Sequence, residues 1–464
     1  MNSIIITAVW GVLMMFAGAF IKKKNVAGPL AIAGFLAAFV ANALELLNKG
    51  KTMISVNTHD MLRFDSFNLT FIAIVLLCTL IYLMINVSEI RKTGNDVAEY
   101  YALIFFIHCG ISIAASYTTL LMLFIGVEII SIPLYILTGS DKRNMKSNEA
   151  ALKYFLMGAF STGILLMGIA FIYGGNDNAS FHIDQIQLGI GKMPVMIAVG
   201  LVFVLVALSF KASAAPFHFW TPDVYDGAPT VFTSFMSTVV KAAVFFAFIR
   251  LFEHAFGSIQ SQWQELIVII TGLTLFIGNI GAVFQQSVKR MLAYSSIAQA
   301  GFMMFALFAL NDKAKEGLLL YTAAYSLATM GMFAVLIKLE DYTIDGFNGL
   351  SKRNPGMAFA ATVFLLSLTG VPLTAGFQAK FFMLLSAVED GHRFWLVIAA
   401  VLFAAVGAYY YFRIIQAMYF KEVDDQAAPI VVVNSNYRWL LLTIVLLIVV
   451  IGIYPELVIG WIYS

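Results

Sequence analysis

Four ionisable residues lie deep inside apolar runs, where a charge is least expected. They are Glu128 in LLMLFIGVEIISIPLYIL, Lys211 in VALSFKASAAP, Lys241 in FMSTVVKAAVFFAF and Lys380 in TAGFQAKFF. A carboxylate and three amines can each hold and release a proton. Burial favours the neutral amine, whereas a nearby carboxylate favours the ammonium, so a lysine balanced between the two exchanges protons near neutral pH. A charge at the centre of a bilayer costs about 2.5–3.5 kcal/mol on insertion scales, so such residues face the protein interior. A lone buried lysine also serves as a helix–helix contact or snorkels to the interface, and Lys380 lies far enough along its segment for either. Three lysines and one glutamate together fit a row of proton-holding groups better than four unrelated contacts.

The elements that must position them are membrane helices. The chain has 464 residues, is 61% hydrophobic and only 12% charged, with mean hydropathy +0.88; a soluble domain is about 25% charged. A span needs roughly 20 apolar residues. By that measure there are about fourteen, running roughly over 3–21, 28–48, 68–89, 99–116, 118–138, 149–174, 192–213 (with a continuation to about 225), 228–251, 264–284, 288–310, 314–338, 356–388, 393–420 and 438–461. The apolar stretch from Ile4 to Phe20 precedes Lys22, Lys23 and Lys24 rather than following them, so it reads as an uncleaved first span. With the N-terminus outside, the inner loops carry Lys22–Lys24, Arg91, Lys92, Lys142, Arg143, Lys146, Lys289, Arg290, Lys338, Lys352, Arg353 and Lys421. The outer ones carry Lys49, Lys51, Arg63, Lys192, Arg250, Lys313, Lys315 and Arg393. The positive-inside rule then favours both termini outside.

Two spans are interrupted, at Pro216 in SFKASAAPFH and at Pro372 in LTGVPLTAGFQAK. Proline removes a backbone donor and clashes with the preceding turn, and irregular backbone at membrane depth survives only inside protein or beside a wet cavity. The breaks fall in the seventh and twelfth spans, five apart. Five is odd, so two five-helix units would be inverted relative to each other, as in transporters whose sites lie at discontinuous helices. The expected organisation is one all-α membrane domain. Its parts are three leading helices (1–95), a first repeat (96–255), an inverted second repeat (256–425) and a last helix (426–464).

Softer candidates surround the row. His218 follows the first break by two residues and suits a relay or a helix cap equally. Tyr321, Tyr325, Ser326 and Thr329 place hydroxyls along the eleventh span, where they could hold water or simply pack. His108 reads as a hydrogen-bond partner between helices. Lys153, Glu149, Lys289 and Arg290 stand near span ends and read as interfacial. Cys78 and Cys109 form no CxxC pair, and the six histidines are scattered, so no metal, haem or iron–sulfur site is indicated. A net charge of +2 without a basic tract gives no sign of a nucleic-acid partner.

Three segments carry a family resemblance: FKASAAPFHFWTPDVYDGAPT at 210–230, KRMLAYSSIAQAGF at 289–302 and GVPLTAGFQAKF at 370–381. In this order they resemble the antiporter-like membrane subunits of respiratory complex I, NADH:quinone oxidoreductase, over nearly the whole chain. The TPDVYDGAPT form, with Tyr225 where relatives carry histidine, and a lysine at 380 rather than a glutamate resemble the N (chain 2) type. The resemblance implies a proton-translocating subunit of the translocase in a bacterial inner membrane. In it, Glu128 pairs with and tunes Lys211, and Lys241 and Lys380 continue the path. It also implies that NADH, FMN, iron–sulfur clusters and quinone are bound by other membrane and peripheral subunits, with no redox centre in this chain. Many members have histidine where this chain has Gln299, which orders water but holds no proton. Two other readings compete: a subunit of a multi-subunit Na⁺/H⁺ antiporter, and a scaffold that moves no protons.

Overall fold

A computed structural model of the chain describes residues 1–20, 24–48, 56–94, 97–186, 188, 193–391, 393–422 and 433–462. The loop charges Lys22, Lys23, Lys49, Lys51 and Lys192, and His392, lie outside the described residues, as does the side chain of Lys24. Among the described residues the only β-structure is three isolated bridges, Leu62 with Tyr117, Thr119 with His182 and Ser287 with Thr343. A helix suits a hydrocarbon environment because it satisfies its own backbone.

Three helices lead: α1 (Asn2–Phe20), α2 (Lys24–Leu47) and α3 (Ser66–Thr93). The first unit of five crossings is α4 (Val97–Ser116), α5 (Leu120–Thr138), α6 (Met145–Gly174), the broken pair α7 (Val195–Ala212) and α8 (Trp220–Gly227), and α9 (Thr230–Phe235) continuing into α10 (Lys241–Phe256). The second unit is α11 (Gln260–Val283), α12 (Val288–Ala309), α13 (Asp312–Ile337), then, after the short α14 (Leu350–Arg353), the broken pair α15 (Pro355–Thr369) and α16 (Ala375–Asp390), and α17 (Phe394–Phe420). The chain closes with α18 (Ser435–Ile453) and the short α19 (Glu456–Ile459). Counting each broken pair once, the helices of the described residues make fourteen crossings, eleven of their apolar segments being long enough to span unaided and one of them, 230–283, holding two. The second unit starts on the face opposite to the first, and the pairings repeat: α4 packs on α5 as α11 packs on α12.

Packing in lipid gains little from the hydrophobic effect, so close backbone contact and hydrogen bonds must hold the helices together. Glycine supplies that contact at matching places in the two units. A Cβ on Gly126 of α5 would lie 2.9 Å from the backbone nitrogen of Ala114 on α4, and one on Gly278 of α11 would strike the backbone of Ala298 on α12. The central pair, α12 and α13, is enclosed by protein along 94% of its spanning windows, so their hydroxyls face other helices and not lipid.

Both expected breaks are present. At the first, α7 ends at Ala212 with Ser213 in the left-handed region (φ 62°), and the Ala214 amide bonds back to Ser209 O at 2.8 Å. At the second, Gly370 takes φ 90°, a conformation glycine adopts at no steric cost, and the Val371 amide donates to Leu366 O at 3.0 Å. A third irregularity has no proline or glycine to announce it. Residues Met236–Val240 form a single π-turn immediately before Lys241. The carbonyl of Ser234 there accepts from the Ser237 and Thr238 hydroxyls at 3.2 and 2.8 Å.

Candidate functional site

The first break delivers Lys211 to α5. Glu128, Ser131 and Tyr135 stand at i, i+3 and i+7 on that helix and so share one face. The Lys211 ammonium donates to Ser131 Oγ at 2.8 Å and Tyr135 OH at 3.3 Å. Glu128 Oε1 lies 4.0 Å from Lys211 Nζ, with side-chain exposures of 22% and 6%. At that distance the two attract as charges without a direct hydrogen bond. The same carboxylate oxygen accepts from Thr162 Oγ1 of α6 at 2.6 Å.

Lys241, 2% exposed, points across the boundary between the two units. Its ammonium donates to Ser296 O at 2.8 Å and Ser296 Oγ at 2.9 Å, both on α12. It also lies 5.9 Å from the Tyr225 ring centroid. A π-turn inserts one extra residue into a helix and so resets the direction of every side chain after it, which places this lysine toward α12.

The second break serves Lys380 differently. The end of α15 leaves carbonyls without helical donors, and Lys380 Nζ donates to two of them, Leu368 O and Thr369 O, each at 2.9 Å. Its ammonium turns to the helix break. The cation also stands 4.7 Å from the Phe302 ring centroid. Gln299 shares the Leu368 carbonyl through Nε2 (3.0 Å) and donates to Tyr411 OH at 3.2 Å, while its Oε1 accepts from Tyr321 OH. Tyr411 is bonded in turn to Ser295 Oγ.

Several buried hydroxyls along this row make no hydrogen bond to protein: Ser209, Ser213, Thr221 and Ser234 in the first unit, and Tyr325, Ser326 and Thr329 on α13. His218 is half-buried with Nδ1 unpartnered, set apart from the lysines' bonding partners. Pro216 and Pro372 are exposed at their breaks. His108, buried, bonds Thr79 Oγ1 at 2.7 Å across two helices, a packing role. The span-end charges gather into one cup. Lys153 pairs with Glu149 (2.8 Å) and Asp223 (3.0 Å), and Arg290 with Asp223 (2.9 Å). Lys289 is buried beneath them instead of interfacial, donating to Asp226 O and Ala228 O at 2.8 and 2.6 Å. The partners Ser131, Tyr135, Thr162, Ser296 and Tyr411 were not evident from sequence. Only the first two carried a signal, their helical spacing from Glu128.

Comparison with known proteins places this arrangement. Residues 118–407, more than half of the chain, match the family described as NADH:quinone oxidoreductase/Mrp antiporter, TM. NADH-quinone oxidoreductase subunit N of Cytophaga hutchinsonii is 37% identical over 423 residues, covering 90% of each chain. Subunit N 1 of Herpetosiphon aurantiacus is 39% identical, covering 90% of this chain and 86% of that one. The chain belongs to the subunit N family of NADH:quinone oxidoreductase. A chain of respiratory complex I from Thermus thermophilus, solved with bound aureothin, superposes with TM-score 0.83 at 31% identity, covering 99% of this chain and 98% of that one. A chain of the Mrp complex from Dietzia sp. DQ12-45-1b superposes with TM-score 0.86 but at 17% identity, a likeness of fold alone. In this subunit N family member, the three resembling segments fall on the first break, on α12 and on the second break, the places where the buried lysines are held.

Proposed function

We propose that this chain is a proton-translocating, antiporter-like membrane subunit of NADH:quinone oxidoreductase that moves protons between Glu128–Lys211, Lys241 and Lys380. One observation carries the reading. Each of the three ammonium groups is held by neutral oxygens on an opposing helix or at a helix break, in a row that crosses the boundary between the two units. Neutral dipoles solvate a cation without fixing it as a permanent ion pair, so the same site accommodates the neutral amine. Quinone reduction elsewhere in the complex drives the transfer, and NADH, flavin, iron–sulfur clusters and quinone are bound by its other subunits. Among the described residues no group of three or more His, Cys, Asp or Glu side chains could hold a metal ion.

Both termini lie on the outer side of a bacterial inner membrane, which puts the Lys153–Asp223–Arg290 cup on the inner face. The leading helices (1–95), the two repeats (96–255 and 256–425) and the last helix (426–464) are the working divisions. The matched family's description names Mrp antiporters as well, and the second reading is a Na⁺/H⁺ antiporter subunit.

The test is Lys211→Ala and Lys241→Ala in the assembled complex. Proton pumping falls in each while the complex stays intact on native gels. Unchanged pumping in both establishes a scaffold. Native complex isolated without flavin and iron–sulfur subunits, and active only with Na⁺, establishes the antiporter.

A further inference from the structure

Gln299 stands on α12 beside the partners of Lys241 and Lys380, yet three of its four hydrogen-bonding places are already committed. Both amide hydrogens are donated, to Leu368 O and Tyr411 OH, and the amide oxygen accepts from Tyr321. A group so held is a strut. Beside it lies a cavity of about 10 Å³, bordered by Gln299, Tyr321, Tyr325, Ser367, Ala379 and Lys380. That is about the volume one water needs, and a buried water also requires two or more polar partners.

The partners are on its walls. Lys380 has three N–H donors, of which two are taken by Leu368 O and Thr369 O. Tyr325, 3% exposed, has a hydroxyl with no hydrogen-bond partner in the protein. The hydroxyls of Thr329 and Ser296 are its polar neighbours, and Ser296 is the residue that holds Lys241. Leaving a buried phenol unsatisfied costs about 1–3 kcal/mol, a cost that one water removes.

We propose that this cavity is a single-water site, and that Tyr325, not Gln299, is the residue that links Lys380 to the Lys241 side of the row. The inference rests on reading the row as a proton path. In the transfer, a proton arriving on the Tyr325 oxygen displaces the phenolic proton to the water, and a water proton passes to the neutral Lys380 amine. Each bond to hydrogen that breaks is replaced by one that forms, and the phenol and the water are both regenerated.

The experiment uses the intact complex with Tyr325→Phe, which keeps the ring and removes only the hydroxyl. A cryo-electron microscopy map of the unmodified complex that resolves other buried waters shows density within hydrogen-bond reach of Tyr325 OH and Lys380 Nζ. In Tyr325→Phe that density is lost while Lys380 keeps its bonds to Leu368 O and Thr369 O, and pumping falls by about a hundredfold, the loss expected when a positioned proton-transfer group is removed. Ala324→Val, which narrows the same cavity from α13, lowers pumping with the Tyr325 hydroxyl intact. An empty cavity in such a map, or normal pumping by Tyr325→Phe, overturns the proposal. Lys380→Ala separates the two levels. If it abolishes pumping while Tyr325→Phe does not, only the water link fails; if both pump normally, the proton path itself fails.

Discussion

Glu128→Gln isolates what the carboxylate charge contributes to the first station. Glutamine keeps the length of the side chain and an oxygen for Thr162, and Ser131 and Tyr135 still hold Lys211 in place. What disappears is the attraction of two charges 4.0 Å apart. That attraction amounts to about 4 kcal/mol at an effective dielectric of 20 and about 1 kcal/mol if the site is as wet as bulk water. Each 1.36 kcal/mol is tenfold in a rate. If the lost attraction falls on the rate-limiting exchange, pumping slows between about fivefold and about a thousandfold, and the observed factor reports how wet the pair is. The assay is NADH-driven acidification of inverted membrane vesicles, normalised to NADH oxidation by an artificial acceptor to correct for assembly. In the double variant with Lys211→Met, loss of the carboxylate charge adds nothing to the loss of the lysine. Wild-type pumping by Glu128→Gln while Lys211→Ala is inactive refutes the idea that this charge matters. Additive losses in the double variant refute the pairing.

Two further changes probe the other stations in the same assay. Ser296→Ala removes one of the two bonds to Lys241 and leaves the Ser296 carbonyl in place. A hydrogen bond to a charged group is worth about 1.5–3 kcal/mol, so pumping slows between about 10- and 150-fold, and an unchanged rate dismisses the hydroxyl. Gly370→Ala places a Cβ in a left-handed conformation 3.0 Å from Lys380 Cδ, whereas Gly391→Ala meets the same backbone strain with no atom within 4 Å. Pumping therefore falls in the first and is retained in the second. Equal losses mean that strain, and not displacement of Lys380, is responsible.

Much of this was legible in the sequence because membrane chains write their constraints in simple terms. Twenty apolar residues make a span, and a charge inside one must face protein. Pro216 and Gly370-Val371-Pro372 marked both breaks, and the odd interval between them marked the inversion. The π-turn at Met236–Val240 was not legible. It contains no breaker, and the hydroxyls of Ser237 and Thr238 that cover the freed carbonyl look like ordinary helix residues. Lys289 was misplaced for a related reason. Its position near a span end suggests the interface, but its acceptors are carbonyls of the α8 end that only the fold brings over it. Long-range partners such as Ser296 for Lys241, or Tyr411 for Gln299, have no local signature, because their spacing in sequence is set by topology.

The contrast between two classes of lysine gives the row its meaning. Lysines near the faces of the bundle, Lys289 apart, sit against carboxylates: Lys153 with Asp223 at 3.0 Å, Lys338 with Glu89 at 2.5 Å, Lys315 with Glu253 at 2.5 Å. Such pairs join helices; Lys338 ties α13 to α3 and covers the Tyr437 ring of α18 at 4.6 Å. At mid-bundle the partners are hydroxyls and carbonyls, with Glu128 the one carboxylate, and it stands too far away to bond Lys211 directly. A structural cross-link in hydrocarbon would call for the opposite choice, since an unpaired buried charge is costly and a close ion pair reduces that cost. Lysines whose hydrogen bonds go to neutral oxygens alone keep both protonation states within reach, as the proposed proton transfer requires and a cross-link does not.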